Sequence, residues 1–172
     1  MPAAIDLLIE DDRWMPLKLA RLAERAVAAV LADRGLSGKG YSVSILACDD
    51  AQIARLNAEF RDKPKPTNVL SWPEHDLAPL EDGGDPAAPP PANDFDDSLG
   101  DIALAWDTCV REAEETAISL PDHVTHLLIH GCLHLLGFDH ERDGDAARME
   151  ALETKILASM GIEDPYRGRA RD

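Results

Sequence analysis

The 172-residue chain is 45% hydrophobic, so it is long and apolar enough to bury the core of one domain. Its formal net charge of −16 argues against loose binding to nucleic acid, because phosphate groups repel a surface of that sign. The chain has no apolar run of membrane-spanning length and no signal-peptide pattern, so we expect a cytoplasmic protein without a membrane partner. Three cysteines without framework spacing fit reduced thiols in that compartment.

The first half of the chain predicts strands that alternate with helices. Residues 4–10 and 41–48 are rich in aliphatic, aromatic and β-branched side chains, which is typical of strands. Between them we predict a helix over residues 16–35, opened by a proline and ended by a glycine. A short helix over residues 50–60 follows, with an aspartate as its cap.

The second half of the chain predicts two more strands and then a run of helices. Residues 67–72 and 98–106 have strand composition. Three helices then begin at Asp107, which caps the first of them, at Pro121 and at about Asp143. This order predicts an α+β fold, with the whole chain as one domain in which helices cover a small mixed sheet of about four strands.

Charge is distributed unevenly along the sequence. Residues 74–97 contain eight acids and no lysine or arginine, and they are rich in proline. We interpret them as a flexible surface loop, because they carry too few large apolar groups to pack. Just before this loop, Arg61, Lys63 and Lys65 form a local basic patch in an otherwise acidic chain.

Three histidines in the segment HGCLHLLGFDH have the spacing that metzincin proteases use to bind zinc. His130 and His134 are one helical turn apart, about 40° in direction and about 6 Å along the axis, so both imidazoles can reach one ion. Gly137 allows the chain to leave the helix in a left-handed conformation and return His140 to the same ion. The spacing therefore predicts a zincin-like metal site.

Three histidine ligands leave one coordination position open, which is typical of catalytic zinc sites, whereas structural sites are closed by four protein ligands. We therefore expect one Zn²⁺ per chain. The alternative is that the histidines are polar residues on a helix, satisfied by water or by carbonyl groups. A lone histidine would favour that alternative, but three at this spacing, with a glycine at the turn, favour a metal.

Other residues near the motif have two interpretations each. Asp139 could hydrogen-bond a ligating imidazole and fix its tautomer, or it could simply form the turn. His126, one turn before the motif, could contact a ligand or the substrate, or be a hydrogen-bonded structural histidine. We expect His123 and His75 to face solvent, and Cys132 to lie in the core because it points away from the ligand face.

Gly131 occupies the place where metzincin proteases have the glutamate that acts as general base. A glycine inside a helix costs about 1 kcal/mol relative to alanine, so we expect a reason of packing or of access. If the reason is access, the glycine leaves room for a bulky phosphodiester. Without the glutamate, peptide hydrolysis lacks its proton shuttle.

Several segments resemble the YbeY family, bacterial rRNA maturation factors regarded as metal-dependent endoribonucleases. The segment HGCLHLLGFDH closely resembles the family signature. Residues 56–73, LNAEFRDKPKPTNVLSWP, are similar to its arginine-bearing segment and the strand P-T-(D/N)-V-L-S-(F/W). Residues 99–105, LGDIALA, resemble its G-D-I strand, and residues 149–166 its C-terminal helix. The acidic loop, residues 74–97, looks like an insertion.

This resemblance implies a zinc site at the three histidines, with catalytic roles for His134 and for an essential Arg61. From the sequence alone, Arg61 is an ordinary exposed arginine. A guanidinium presents a rigid fork of donors to phosphate oxygens, so above the metal it would stabilise charge that develops on the transferred phosphoryl group. Lys63 and Lys65 could add attraction for phosphate, or could serve only the solubility of a surface loop.

The resemblance also implies a single-strand-specific endoribonuclease in rRNA processing, 16S rRNA 3′ end maturation and ribosome quality control. The implied partners are rRNA and the small ribosomal subunit or its precursor, with ribosomal proteins as further candidates. Two alternatives stay open. A metalloprotease or other metallohydrolase is favoured by the histidine spacing and opposed by Gly131. A non-catalytic ribosome assembly factor would use the metal only to hold its last helices together.

Overall fold

The computed structural model describes residues 4–166, and its strands and α-helices occur in the predicted order. A short 3-10 helix at Asp12–Leu17 precedes the first α-helix. No helix in this part of the chain combines the length and the apolarity that crossing a membrane requires. The strands and α-helices are β1 (Ala4–Ile9), α1 (Leu19–Asp33), β2 (Ser42–Cys48), α2 (Asp50–Arg61), β3 (Val69–Pro73), β4 (Ser98–Ala105), α3 (Trp106–Thr116), α4 (Leu120–Leu135) and α5 (Asp143–Ser159).

The sheet has four strands in the order β1-β2-β4-β3. Strands β1, β2 and β4 are parallel, with Ile45 opposite Ile102, and β3 joins the edge of β4 in antiparallel orientation, with Leu70 opposite Ala103. The predicted α+β fold, a single domain with a small mixed sheet, is confirmed.

Alternate residues of the central strands belong to different cores, as the two-residue period of a strand requires. Ile45 and Ile102 are buried in the larger core together with residues of α1, α4 and α5. Cys48 and Ala103 face the other side of the sheet and form a smaller core with Ile53 of α2. The sheet thus separates α2 from the helix that carries the histidines.

Helix α4 is the central helix of the larger core and is buried along most of its length. Its first turn contains Pro121, and Ser119 caps it by accepting a hydrogen bond from the Asp122 amide at 3.3 Å. Cys132 is fully buried, as predicted, and burial raises the pKa of its thiol to about 12. The surrounding elements therefore leave only a narrow stripe of α4 open to a site.

The reason for a glycine at position 131 is close packing of α4 against β4. A Cβ atom there would lie 3.1 Å from the Cδ1 atom of Ile102, which is tighter than ordinary van der Waals contact. Gly131 is buried and faces the sheet. The access explanation, in which the glycine leaves room for a phosphodiester, is therefore wrong, because Ile102 fills that space.

The start of α3 differs from the prediction. Helix α3 begins at Trp106 without a side-chain cap of its own, so Asp107 is not its cap. Instead, Asp50 of α2 accepts hydrogen bonds from the Thr108 amide at 3.0 Å and the Thr108 hydroxyl at 2.8 Å. Asp107 pairs with Arg13 at 2.7 Å. A cap supplied by a distant helix leaves no local signal in the sequence.

The acidic loop, residues 74–97, contains no helix or strand, but it is attached to the domain at several points. The Tyr41 hydroxyl donates a hydrogen bond to the Pro90 carbonyl at 2.8 Å. Asp82 accepts one from the Asp145 amide at 2.8 Å, within the first turn of α5. The loop thus supplies a partner for an amide of the α5 N-terminus, which lacks a side-chain cap from its own N-cap residue.

Gly137 ends α4 and directs the chain toward the third histidine. Its φ is +99°, its amide donates to the His134 carbonyl at 3.0 Å, and the Phe138 amide donates to the Leu133 carbonyl at 3.1 Å. This pair of bonds is a Schellman motif. A Cβ atom at Gly137 would also lie 2.7 Å from the backbone of Leu77 in the acidic loop, so glycine is needed for conformation and for space.

We expect Gly137→Ala to lower the free energy of unfolding by more than Gly161→Ala, measured by urea denaturation. Gly161 ends α5 with the same Schellman bonds and a φ of +76°, but nothing lies within 4 Å of its Cβ position. Gly161→Ala should therefore cost only the left-handed strain of about 1–2 kcal/mol. Gly137→Ala adds a clash with the Leu77 backbone. Equal losses in the two variants would contradict this account.

Candidate metal centre

The imidazoles of His130, His134 and His140 lie together at the end of α4. One ligand atom from each lies within 4.8 Å of the corresponding atoms of the other two. The Nε2 atoms of His130 and His134 are 3.1 Å apart. The His140 ring lies 5.4 Å from the first ring and 5.2 Å from the second, centroid to centroid. Helical spacing brings the first two together, and the Gly137 turn adds the third.

These three residues fit a divalent metal ion. Two nitrogens bound to one zinc ion at about 2.0–2.1 Å in tetrahedral geometry would be about 3.3–3.4 Å apart, close to the observed Nε2 separation. Burial, and then the neighbouring His130 and His140, lowers the pKa of His134 to about 4, so this imidazole is neutral and can donate a lone pair at pH 7. Within residues 4–166 this is the one such cluster of donors that could hold an ion.

Glu153 of α5 is a residue of this site that sequence reasoning missed. Its Oε1 atom lies 3.0 Å from Nε2 of His126 and 2.9 Å from Nδ1 of His130, and its Oε2 accepts a hydrogen bond from the Tyr166 hydroxyl at 2.7 Å. Burial opposes the charged form of Glu153, but the hydrogen bonds from His126 and His130 outweigh it and lower the pKa of the carboxyl to about 2.

The sequence did contain a signal for Glu153. It lies four residues after Met149 and three before Ile156, and both of these are buried on the inward face of α5. An acid on an apolar helix stripe indicates a buried partner, because an unpaired carboxylate is costly in a core.

The structure also gives the contacts of Asp139 and His123. Asp139 accepts a hydrogen bond from the adjacent His140 amide at 2.7 Å, whereas its distance to Nδ1 of His134 is 4.0 Å, too long for a hydrogen bond. His123 was expected to face solvent, and that expectation is wrong. It is 8% exposed, and its Nε2 lies 3.0 Å from Glu112 because α3 packs against α4.

A cavity of about 490 Å³ joins the histidines to the basic segment at the end of α2, residues 61–65. Arg61 and Lys63 line this cavity together with the three imidazoles, whereas Lys65 does not line it. One Arg61 nitrogen, Nη2, donates to the Ser71 carbonyl at 2.9 Å. That bond anchors the guanidinium to β3 at the wall of the cavity.

Asn57 holds the basic segment in place and was also missed from the sequence. It is 6% exposed and lines the same cavity. Its side-chain Nδ2 donates to the Lys65 carbonyl at 3.0 Å, and its backbone carbonyl accepts from the Lys63 amide at 3.2 Å. A single buried residue, through its side chain and its backbone, therefore fixes a segment whose prolines prevent it from forming a helix.

The fold and the site define a class of protein: a small α+β domain with a zincin-like three-histidine centre that lacks the protease glutamate. The family described as Endoribonuclease YbeY matches residues 8–161. The chain therefore belongs to the Endoribonuclease YbeY family.

Relatives named Endoribonuclease YbeY match almost the whole chain. The protein of Ruegeria sp. (strain TM1040) is 57% identical over 164 residues, which cover 94% of this chain and 95% of the relative. That of Cereibacter sphaeroides is 50% identical over 170 residues, covering 96% and 100%. A solution structure of TM1509 from Thermotoga maritima has a TM-score of 0.52 at 21% identity, covers 91% of each chain and shows the same fold.

For metal-free protein, we expect His134 to reduce the free energy of unfolding by about 2 kcal/mol between pH 7 and pH 5. The unfolded histidine takes up a proton near its ordinary pKa of 6.5, whereas the folded one stays neutral down to about 4. The loss therefore begins below about pH 6.5 and grows until the pH falls to the folded value. Urea denaturation in a chelator should show a weaker pH dependence for His134→Gln, and an unchanged dependence would refute this cause.

Proposed function

We propose that the chain is a zinc-dependent endoribonuclease that cleaves single-stranded RNA, with His130, His134 and His140 as its metal ligands. The observation that carries this proposal is the shared cavity, in which Arg61 and Lys63 lie on the wall next to the three imidazoles. Cationic side chains beside a metal site suit a phosphodiester better than a peptide. The names of the relatives support the same reaction class.

The protease alternative is disfavoured by the packing of α4. A metzincin protease needs a carboxylate directly after its first histidine. Here that place is Gly131, whose Cβ position lies against Ile102 of the sheet. No acidic side chain of α4 can therefore act as the proton shuttle at that point.

Each group in the cavity has a role in this proposal. Bound zinc supplies Lewis acidity toward a phosphoryl oxygen. Arg61 keeps one nitrogen on the Ser71 carbonyl, so its other N–H donors can bind phosphate oxygens and stabilise the charge that develops on them. Lys63 attracts the neighbouring phosphate, while His126 and Asp139 support the ligand region without binding the metal.

The proposed substrate is rRNA within the small ribosomal subunit or its precursor, in the cytoplasm, with ribosomal proteins as further partners. The net charge of −16 supports a presented substrate, because the chain as a whole repels free polyanions. The proposed steps are 16S rRNA 3′ end maturation and ribosome quality control.

We expect His134→Ala and Arg61→Ala each to reduce cleavage of a precursor 16S rRNA 3′ end by at least about 100-fold. His134→Ala should also lose zinc, measured by metal content after gel filtration, because it removes a ligand. Arg61→Ala should keep its zinc, since the guanidinium contacts Ser71 and not the imidazoles.

Arg55→Ala is the matched control for Arg61→Ala. Arg55 lies on the same helix and hydrogen-bonds Gln52, outside the cavity. The Arg55→Ala variant should cleave the RNA at the wild-type rate. Full cleavage by Arg61→Ala would remove the proposed role of the arginine. If Arg61→Ala alters binding to ribosomal particles while the wild type cleaves nothing, the non-catalytic assembly factor is the better description.

A second test separates the two lysines. Lys63 lines the cavity and Lys65 does not, so Lys63→Gln should remove a phosphate contact. In a chelator, where no cleavage occurs, the slope of log K against log salt for single-stranded RNA should become shallower by about 0.7. Lys65→Gln should leave the slope unchanged. The same change in both variants would show that the segment attracts RNA only through its total charge.

A further inference from the structure

Glu153 is the most deeply buried acid near the proposed metal centre. It is 0% exposed and lies between α4 and α5, among side chains of the larger apolar core. A carboxylate removed from water is costly unless hydrogen bonds replace its hydration. The hydrogen-bond partners of Glu153 must therefore offset the cost of burying its carboxylate.

The partners of Glu153 occupy both of its oxygen atoms. Oε1 lies within hydrogen-bond distance of one ring nitrogen from each of two histidines, His126 and His130, which are one turn apart on α4. Oε2 accepts the hydrogen bond of the Tyr166 hydroxyl. The carboxylate is thus held from three directions, and it cannot rotate away from His130 without breaking the other two contacts.

Two ring nitrogens and a hydroxyl around the two oxygens suit a carboxylate that accepts from all three, so the nitrogen facing it is the donor. For His130 that nitrogen is Nδ1, at 2.9 Å from Oε1. A neutral imidazole carries one proton, so Nε2 of His130 then bears a free lone pair. This Nε2 is the atom that lies 3.1 Å from Nε2 of His134, within the three-histidine cluster.

We propose that Glu153 is a positioning residue of the metal centre, which holds His130 as the Nδ1–H tautomer so that its Nε2 lone pair faces His134 and His140. Its consequence for cleavage rests on the proposed metal-dependent function. The tautomer itself does not. His126 and Tyr166 both contact this carboxylate and so help to hold it in place.

The test compares wild type with Glu153→Gln, which keeps the size of the side chain and removes its charge. Zinc affinity, measured by competition with a chelator, should fall by about 10- to 100-fold. The visible spectrum of the cobalt-substituted protein should change, because the ligand geometry at His130 is altered. Glu153→Gln should also allow His130 to populate the Nε2–H tautomer, which long-range proton–nitrogen NMR of metal-free protein detects.

Glu112→Gln is the matched control. Glu112 pairs with His123 at 3.0 Å on the same helix α4, about two turns before His130, and touches none of the three clustered imidazoles. The zinc affinity of the Glu112→Gln variant and the tautomer of its His130 should equal those of wild type. If Glu153→Gln keeps wild-type zinc affinity and only unfolds more easily, Glu153 merely stabilises helix packing and the proposal fails.

The wild-type protein alone also tests the proposal, should Glu153→Gln fail to fold. A metal-free wild type in which His130 carries its proton on Nε2 would overturn it. Failure of the proposed function has a different signature: wild-type protein would bind zinc in a Glu153-dependent way and yet cleave no RNA. The two proposals can therefore fail separately.

Discussion

The close approach of α4 to β4 is the constraint on which the site depends. Gly131 allows it, because a Cβ atom at position 131 would already lie 3.1 Å from the Ile102 side chain. With α4 seated there, most of its surface is buried by α1, α3, α5 and the sheet. Only the stripe that carries His126, His130 and His134 remains available, and the Gly137 turn adds His140 at its open end.

A second constraint on the site is the position of its positive charge. The chain carries a net charge of −16, but Arg61 and Lys63 line the cavity wall beside the imidazoles, together with the acids Asp139 and Glu141. Asn57 and β3 fix that wall, so the positive groups are held by the backbone and do not depend on long flexible side chains alone. These two cations can attract a polyanion to the cavity of a chain whose net charge repels it.

Local patterns predicted the strands, most helix ends and the three-histidine cluster, because each depends on spacing within a few residues. The sequence could not show contacts between distant segments. Asp50 caps α3 from another helix, His123 is buried by Glu112 of α3, and Glu153 reaches His130 across a helix interface. Each partner is at least eleven residues away in the chain, where periodicity carries no information.

The missing glutamate is best understood through packing. A glutamate at position 131 would place its Cβ atom 3.1 Å from the Cδ1 atom of Ile102, so the Ile102 side chain would have to shift. Ile102 belongs to the larger core, in which α4 packs against α5 and Glu153 reaches His130. The buried acid Glu153 contacts the histidines from α5, whereas Asp139 and Glu141 line the cavity itself. Glu153 can orient an imidazole but does not line the cavity, which is why the proposed function assigns stabilisation of the reacting phosphate to Arg61 and Lys63.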